Sequence, residues 1–247
     1  MASNLPLGLQ DYAEQVISVA GKTIAVKDLL YVSQEDMYSA AYMTVTSQAV
    51  AANTSVRVFQ IKPGQTGQGW TSGVDNAVTN NENGDRFQGN EIYLSTGIGF
   101  DWMASTGTTS FQFLPITTTK DIQSLGQTFQ WTWQVGSGPE RIKGKLIQYP
   151  YGAGAFGVGV TMATGITVGS ATVGHGTFAN SNGGPNVPMR KFDTPLIFPP
   201  NIDCKINVKN GSAGTTVLST VDDYAGAAIG GVVCIAYMKG FRMTLPV

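Results

Sequence analysis

The sequence predicts an all-β protein, and three observations support this. Apolar and polar residues alternate with a period of two in many short segments. Clusters of glycine, asparagine, proline and serine separate these segments. Only 13% of the 247 residues are charged, whereas 42% are hydrophobic, so the chain can bury a core. We count about 14 to 16 candidate strands, which is typical of a β-sandwich or barrel.

Helices are predicted at only two places. Residues Ser33–Ala41 place Ser33 and Asp36 at the spacing of a capping box. Residues Asp121–Leu125 form one helical turn that Gly126 closes. The two predicted helices are therefore short, and strands dominate the rest of the chain.

Two long polar loops interrupt the strands. Residues Gln65–Gly89 form the longest, which we expect to be a mobile or partner-facing excursion. A second loop covers Gly174–Pro188. Both are our first candidates for exposed or inter-subunit segments.

The clearest strand lies at residues 128–135, where Phe129, Trp131, Trp133 and Val135 share one face. Because both tryptophans point the same way as their apolar neighbours, we predict that they belong to the core and do not form a sugar-stacking platform. The segment 201–209 repeats the pattern, with inward positions at Ile202, Cys204, Ile206 and Val208. The other predicted strands are 55–61, 91–94, 110–114, 141–147, 155–161, 230–238 and 241–245.

The charge distribution argues against strong nucleic-acid binding. The net charge is −1, and the first basic residue is Lys22, so no basic N-terminal arm is present. Arg141, Lys143 and Lys145 alternate with apolar residues and glycine, which predicts the solvated face of a strand.

The two cysteines and the N-terminal residues bear on disulfide formation and on targeting. Cys204 and Cys234 lie in apolar, alternating segments and are predicted to be small buried hydrophobes, although a single bridge between them stays open. Residues 1–16 lack a positive region and an apolar core, which predicts no signal peptide. The longest apolar run, 224–238, is too short to span a bilayer, so we expect a soluble protein made in a cytoplasm.

A glycine motif and a single histidine resemble parts of enzyme active sites, but the residues that would accompany them in an enzyme are missing. Gly152, Gly154 and Gly157 spell G-x-G-x-x-G, yet helix formers do not follow and the nearest downstream acid is Asp193. We interpret them as turn and strand glycines. The single histidine, His175, has no G-x-S-x-G partner and is predicted to be a loop residue; one histidine also excludes a metal site built on several.

Acidic and amide side chains suggest two further candidate sites, a catalytic acid pair and a calcium-binding loop. Glu91 and Glu140 are isolated acids that a glycosidase could pair. Asn81, Asn83 and Gly84 have calcium-loop offsets, but the first and twelfth ligand positions hold Thr79 and Asn90. We therefore predict an Asx-rich turn there. The sequence predicts a protein that is not an enzyme, with no catalytic, cofactor-binding or metal residues.

Residues 183–211 carry a resemblance to a known family. An apolar strand containing Phe192 and Pro195 ends at Pro199 and Pro200, and Asn201 then leads into the next alternating strand. This resembles a strand–turn–strand of jelly-roll viral capsid proteins. Residues 100–133, 140–154 and 239–247 are similar to the capsid proteins of tailless icosahedral bacteriophages. The similarity covers about the last 150 residues.

The resemblance implies a major capsid protein located in the virion. The expected fold is a double jelly roll in one chain, with sandwiches at 1–130 and 131–247; the alternative is a single jelly roll with an N-terminal extension. Homotrimers would tile by lateral contacts into an icosahedral shell and meet vertex proteins. The missing basic arm fits a shell over an internal membrane, or one whose genome is handled by other proteins. A receptor- or glycan-binding β-sandwich module is the alternative function.

Overall fold

The computed structural model confirms the all-β class. It describes residues 5–19, 21–46, 48–76, 78–105, 113–115, 119–149, 161–162, 166–168, 171–173, 176–177, 189–211, 215–218 and 230–246. Every strand pair among them is antiparallel.

The elements follow one another from an N-terminal helical turn to a long C-terminal strand. The first half contains α1 (Leu7–Gln10), β1 (Val16–Val19), β2 (Lys22–Ala25), a 3-10 helix (Val26–Asp28), β3 (Leu30–Thr44), β4 (Ala49–Val50), β5 (Ser55–Val58), β6 (Glu91–Ser105) and β7 (Phe113–Pro115). The second half contains α2 (Thr119–Thr128), β8 (Phe129–Val135), β9 (Arg141–Lys145), a 3-10 helix (Leu146–Gln148), β10 (Thr161–Met162), β11 (Ile166–Val168), β12 (Ala171–Val173), β13 (Gly176–Thr177), β14 (Arg190–Phe198), β15 (Cys204–Asn210), β16 (Thr216–Val217) and β17 (Gly231–Thr244).

Two large sheets contain the long strands. Sheet 1 has the order β14-β6-β17-β3, with β7 paired to the end of β6. Sheet 2 has the order β5-β15-β8-β9. The short pairs β1-β2, β10-β13, β11-β12 and β16-β4 lie outside both sheets. Each large sheet contains strands from both sides of residue 130, where the sequence predicts a domain boundary.

The main core lies between the two sheets. Aromatic rings join them: Trp133 of sheet 2 meets Phe198 of sheet 1 at 4.8 Å between ring centroids, and Trp102 of sheet 1 meets Phe129 of sheet 2 at 5.2 Å. Trp131 is fully buried. The prediction that both tryptophans are core residues is therefore confirmed.

Sheet 1 is covered on its outer face as well, which explains why β17 is apolar along most of its length. Val232 and Cys234 of this strand join the core between the sheets, whereas Val233 and Ile235 belong to a second cluster on the opposite face. Towards the other end of the strand, residues 5–29 pack over Phe241 and Met243. The sequence of a strand that is buried on both faces is a continuous run of hydrophobic residues without alternation.

The loop Gln65–Gly89 supplies the second cluster, so our expectation of a mobile or partner-facing excursion is wrong for much of it. Trp70, Val74 and Val78 are buried, and the indole N–H of Trp70 donates to the Ala40 carbonyl at 3.0 Å. Apolar residues spaced within a polar segment bury against the sheet and order the loop.

The helix predicted at Ser33–Ala41 is also wrong. These residues lie inside β3, which pairs with β17 from Leu30 to Thr44. A local capping signal is weak, and fourteen residue pairs along a neighbouring strand outweigh it. The other predicted helix exists but is longer, because α2 covers Thr119–Thr128 and continues through Gly126.

Most of the predicted strands exist with shifted ends. Cys204, Ile206 and Val208 face the core as expected, but Ile202 precedes β15 in a turn and is 37% exposed. The strand predicted at 55–61 ends at Val58, and the one at 141–147 ends at Lys145. Residues 155–160 and most of 174–188, including His175, lie outside the described residues.

Candidate interaction surfaces

Glu140 lies on the outer face of sheet 2, within a closed set of hydrogen bonds. Its carboxylate accepts from the Thr132 hydroxyl at 2.5 Å, from the Asn207 amide at 2.6 Å and from the Lys209 ammonium. The hydrogen bond from Lys209 is the largest of several effects that lower the pKa of Glu140 to about 2. An ionised carboxylate with these partners is a structural ion pair and a poor general acid.

Glu91 and Glu140 do not form a catalytic pair. Glu91 begins β6 in sheet 1, opposite Thr244 of β17. Glu140 precedes β9 at the edge of sheet 2. Since the two acids belong to different sheets, the arrangement that a glycosidase needs on either side of one bond is not assembled from them.

The segment around Asn81 is an Asx turn. The Asn81 side chain is buried, donates to the carbonyls of Phe59 at 3.0 Å and Gly84 at 2.6 Å, and accepts from the Asn83 N–H at 3.1 Å. Its oxygen and amide are thus used to hold the loop. Within the described ranges, no group of three or more histidine, cysteine or acidic side chains is placed to hold a metal ion.

The two cysteines are free and buried, so the bridge between them that the sequence left open does not form. Burial is the main cause that raises the pKa of Cys204 to about 12, and it also raises the pKa of Cys234. Neither thiol is suited to act as a nucleophile at neutral pH.

Two clefts in the described part of the chain have no catalytic lining. One of 530 Å³ is formed by residues 60–61 and 64–68, which are glutamine, isoleucine, glycine and threonine. The other, of 400 Å³, lies beside the end of β3 and is lined largely by threonine and alanine. The glycines at 152, 154 and 157 lie outside the described residues.

The outer face of sheet 2 is a polar, cation-rich surface that the sequence analysis only partly identified. Strand register places one row across it at Lys145, Gln130, Lys209 and Ser55. The next row is Ile142, Thr132, Asn207 and Arg57, and beyond it Lys205 lies beside Gln134. The outward positions of the strand alternations, such as Lys205 and Lys209, carry the signal for this surface in the sequence.

The basic segment at 141–145 is exposed, but its apolar member is not turned inward as we expected. Arg141, Lys143 and Lys145 are exposed as predicted, and Ile142 is 66% exposed among them. A β-bulge opposite Trp131 and Thr132 shifts the register of β9, so Ile142 lies on the outer face beside Thr132. The three basic residues therefore do not share one face, because Arg141 is paired with Trp133 and Lys145 with Gln130.

A second surface is the free edge of β3 in sheet 1. From Tyr38 to Tyr42 this edge is covered by the 65–89 loop, through bonds such as Ala40 N–H to the Val78 carbonyl at 2.9 Å. Over residues 30–34 the edge has no backbone partner among the described residues. Leu30, Tyr31 and Val32 are all exposed there.

The chain matches no protein-family model, no curated protein and no solved structure. Among the described residues, no helix is long and apolar enough to cross a membrane.

Proposed function

We propose that this chain is a capsid protein that self-assembles, through trimers, into an icosahedral viral shell, and that its fold is a single jelly roll. The observation that carries the proposal is the order of the eight strands that form the two large sheets, leaving aside the short strand β7 at the end of β6. Along the chain, β3, β6, β14 and β17 belong to sheet 1, and β5, β8, β9 and β15 belong to sheet 2. A jelly roll consists of eight strands in two packed sheets with Greek-key connections, and viral capsid proteins are among its main users.

The path of the chain between the sheets supports this fold. Strand β3 is followed by β5 in the other sheet, and β6 then returns to the first. In the second half, β14 in sheet 1 is followed by β15 in sheet 2 and then by β17 in sheet 1. Apart from β7 and the β8–β9 pair, successive strands of the two large sheets therefore alternate between them, which is consistent with the two Greek keys of a jelly roll.

The same order favours the single form over the double form predicted at 1–130 and 131–247. β17 lies between β6 and β3, and β15 lies between β5 and β8. Each sheet therefore contains strands from both halves of the chain, so neither half forms a complete two-sheet sandwich by itself. Residues 5–29 then correspond to the N-terminal extension of the alternative prediction, since they pack outside the two sheets.

Two other functions found among jelly rolls and β-sandwiches, cupin-type catalysis and sugar binding, agree less well with this chain. A cupin-type enzyme needs several metal-binding histidines, and the chain has one. A sugar-binding sandwich typically presents aromatic rings, whereas Trp131 and Trp133 are both in the core. The low charge fraction and the open edge of β3 suit repeated packing of copies side by side.

The experiment that tests the proposal is imaging of the purified protein by electron microscopy, after sizing by gel filtration and light scattering. Closed shells, or trimers that tile into hexagonal sheets, are the expected result. A stable monomer or lone trimer that never assembles, even when crowded or with lipid present, would instead favour the receptor- or glycan-binding module.

A further inference from the structure

The two sheets differ in charge, although the chain as a whole is nearly neutral. The four strands of sheet 2 contain no acidic residue, and their basic residues are Arg57, Arg141, Lys143, Lys145, Lys205 and Lys209. In the strands of sheet 1, basic residues are matched by the acids Glu35, Asp36, Glu91, Asp101 and Asp193. Positive charge is therefore concentrated on sheet 2.

Neighbouring loops neutralise only part of this charge. Lys209 is paired with Glu140, and Arg57 is paired with Asp85 at 3.3 Å. These two pairs hold the centre of the outer face in place through Asn207, which bonds both Arg57 and Glu140.

The remaining cations have no acidic partner among the described residues. Two of these, Lys145 on β9 and Lys205 on β15, are placed on the outer face by the strand register. Lys143 lies beside them at the β-bulge of β9, whereas Arg141 is paired with Trp133 and does not belong to the outer face. The surplus of positive charge thus extends from Lys205 to the β9 edge of the sheet.

The shape and composition of this face are less suited to a nucleic acid than to a flat anionic surface. An antiparallel sheet presents a broad face without a groove that would follow a nucleic-acid backbone. None of the described side chains in its rows is aromatic, so bases have no ring on which to stack. One aliphatic side chain, Ile142, is exposed in the same row as Thr132 and between the cations of β9.

We propose that the outer face of sheet 2, along β9 and β15, binds the surface of an anionic lipid bilayer. Lysine side chains contact the headgroup phosphates, and Ile142 enters the boundary between headgroups and acyl chains. The charge complementarity is the argument for this partner. The proposal does not require that the chain form a shell, and in a shell it identifies the face turned towards lipid.

Each subunit is expected to bind weakly. A basic residue near an anionic membrane contributes about a fivefold increase in partitioning, and the contribution falls with ionic strength. Many copies held in one lattice would bind the same bilayer together, so the avidity of the assembly exceeds the affinity of one chain.

The test is co-sedimentation of the unassembled gel-filtration fraction with vesicles made of equal parts phosphatidylcholine and phosphatidylglycerol. The wild-type chain is expected to bind these vesicles at low salt, to be released as salt increases, and not to bind vesicles of phosphatidylcholine alone. The triple variant Lys143→Gln, Lys145→Gln, Lys205→Gln is expected to bind about 100-fold more weakly.

The matched control is Lys22→Gln, Lys191→Gln, Lys239→Gln, which removes the same charge from exposed positions outside sheet 2. It is expected to retain binding within about fivefold, the effect of one such charge. Equal loss in both triple variants would show that only net charge matters and would overturn the assignment to this face.

Two further measurements test the apolar contact of Ile142 and distinguish a lipid surface from a nucleic acid as the partner. Ile142→Ser is expected to weaken binding by an amount that salt does not change, because the lost contact is apolar. Binding to single-stranded DNA in place of vesicles would overturn the proposal in favour of a nucleic-acid surface. Because the unassembled chain is used, these outcomes are independent of whether the proposed shell forms.

Discussion

At Glu140, three donors on two strands of sheet 2 hold a carboxylate in its ionised form. Its pKa of about 2 lies below the ordinary value of 4.5, so the folded state binds this proton less readily than the unfolded chain. The stabilising contribution is therefore fully present above about pH 5 and is lost as the pH falls towards 2.

We expect Glu140→Gln to lower the free energy of unfolding by about 1 kcal/mol at pH 7, a value reduced for the partial exposure of the pair. The difference from wild type should shrink below pH 4.5 and vanish near pH 2. Urea unfolding measured across this range checks it. Glu82→Gln, an exposed acid without an ion pair among the described residues, is the control; a pH-independent effect of Glu140→Gln would contradict the ion-pair interpretation.

The buried thiols give a second prediction at this scale. Cys204 and Cys234 are both inaccessible, and burial raises the pKa of each thiol. In the native protein at neutral pH neither should react with a thiol reagent such as iodoacetamide, and both should react once the chain is unfolded. Mass spectrometry before and after denaturation counts the modified residues. Rapid native labelling of either cysteine would show that its surroundings open readily.

Among the elements, the success of sequence-based prediction depended on how each strand is buried. β8 and β15 have one face in the core and one in solvent, so their alternation was plain and the burial of Trp131 and Cys204 was predicted correctly. β3 is different, because its first half is largely exposed and its second half is buried on both faces. That strand therefore lacks alternation, and the local capping signal at Ser33 was misleading.

The 65–89 loop shows why its packing could not be predicted from local sequence. Its buried residues have no strand or helix period, and they are specified by the surface of sheet 1 beneath them. At Gly69, φ is +85°, and a Cβ atom built there would overlap the Tyr42 carbonyl oxygen of β3. The loop and the strand can approach closely only because this residue has no side chain.

We expect Gly69→Ala to destabilise the protein by about 3 kcal/mol, because it combines left-handed backbone strain with a backbone clash. Gly89→Ala is the matched control: its φ is +65°, but nothing lies within 4 Å of the added Cβ. That variant should cost only about 1 kcal/mol. Thermal or urea unfolding of the two variants measures the difference. Equal losses would show that the close approach to Tyr42 contributes nothing.

For the whole molecule, the strand order was beyond what the sequence could specify. Alternation identifies strands and their inward faces, but pairing depends on contacts between segments far apart in the chain, such as β3 with β17 and β5 with β15. The candidate surfaces follow the same rule. Lys145 and Lys205 are sixty residues apart and lie on one face only because β8 stands between their strands.

The open part of the β3 edge leads to a prediction about assembly. Among the described residues, no backbone group pairs with the free side of residues 30–34, and Leu30 and Val32 are exposed beside it. An edge of this kind can pair with a second copy, and a charged side chain placed on it opposes such pairing. In the proposed shell, this edge is therefore expected to be a contact between subunits.

We expect Val32→Lys to weaken self-association at least about tenfold without lowering the melting temperature, because the side chain is already 49% exposed and the new charge acts on the contact between copies. Val217→Lys is the control, since Val217 is 67% exposed on β16, outside both large sheets. Light scattering over a concentration series, with thermal unfolding of the same samples, measures both quantities. If Val32→Lys assembles like wild type while Val217→Lys does not, the subunit contact lies near β16, and the β3 edge must be protected from pairing by other means.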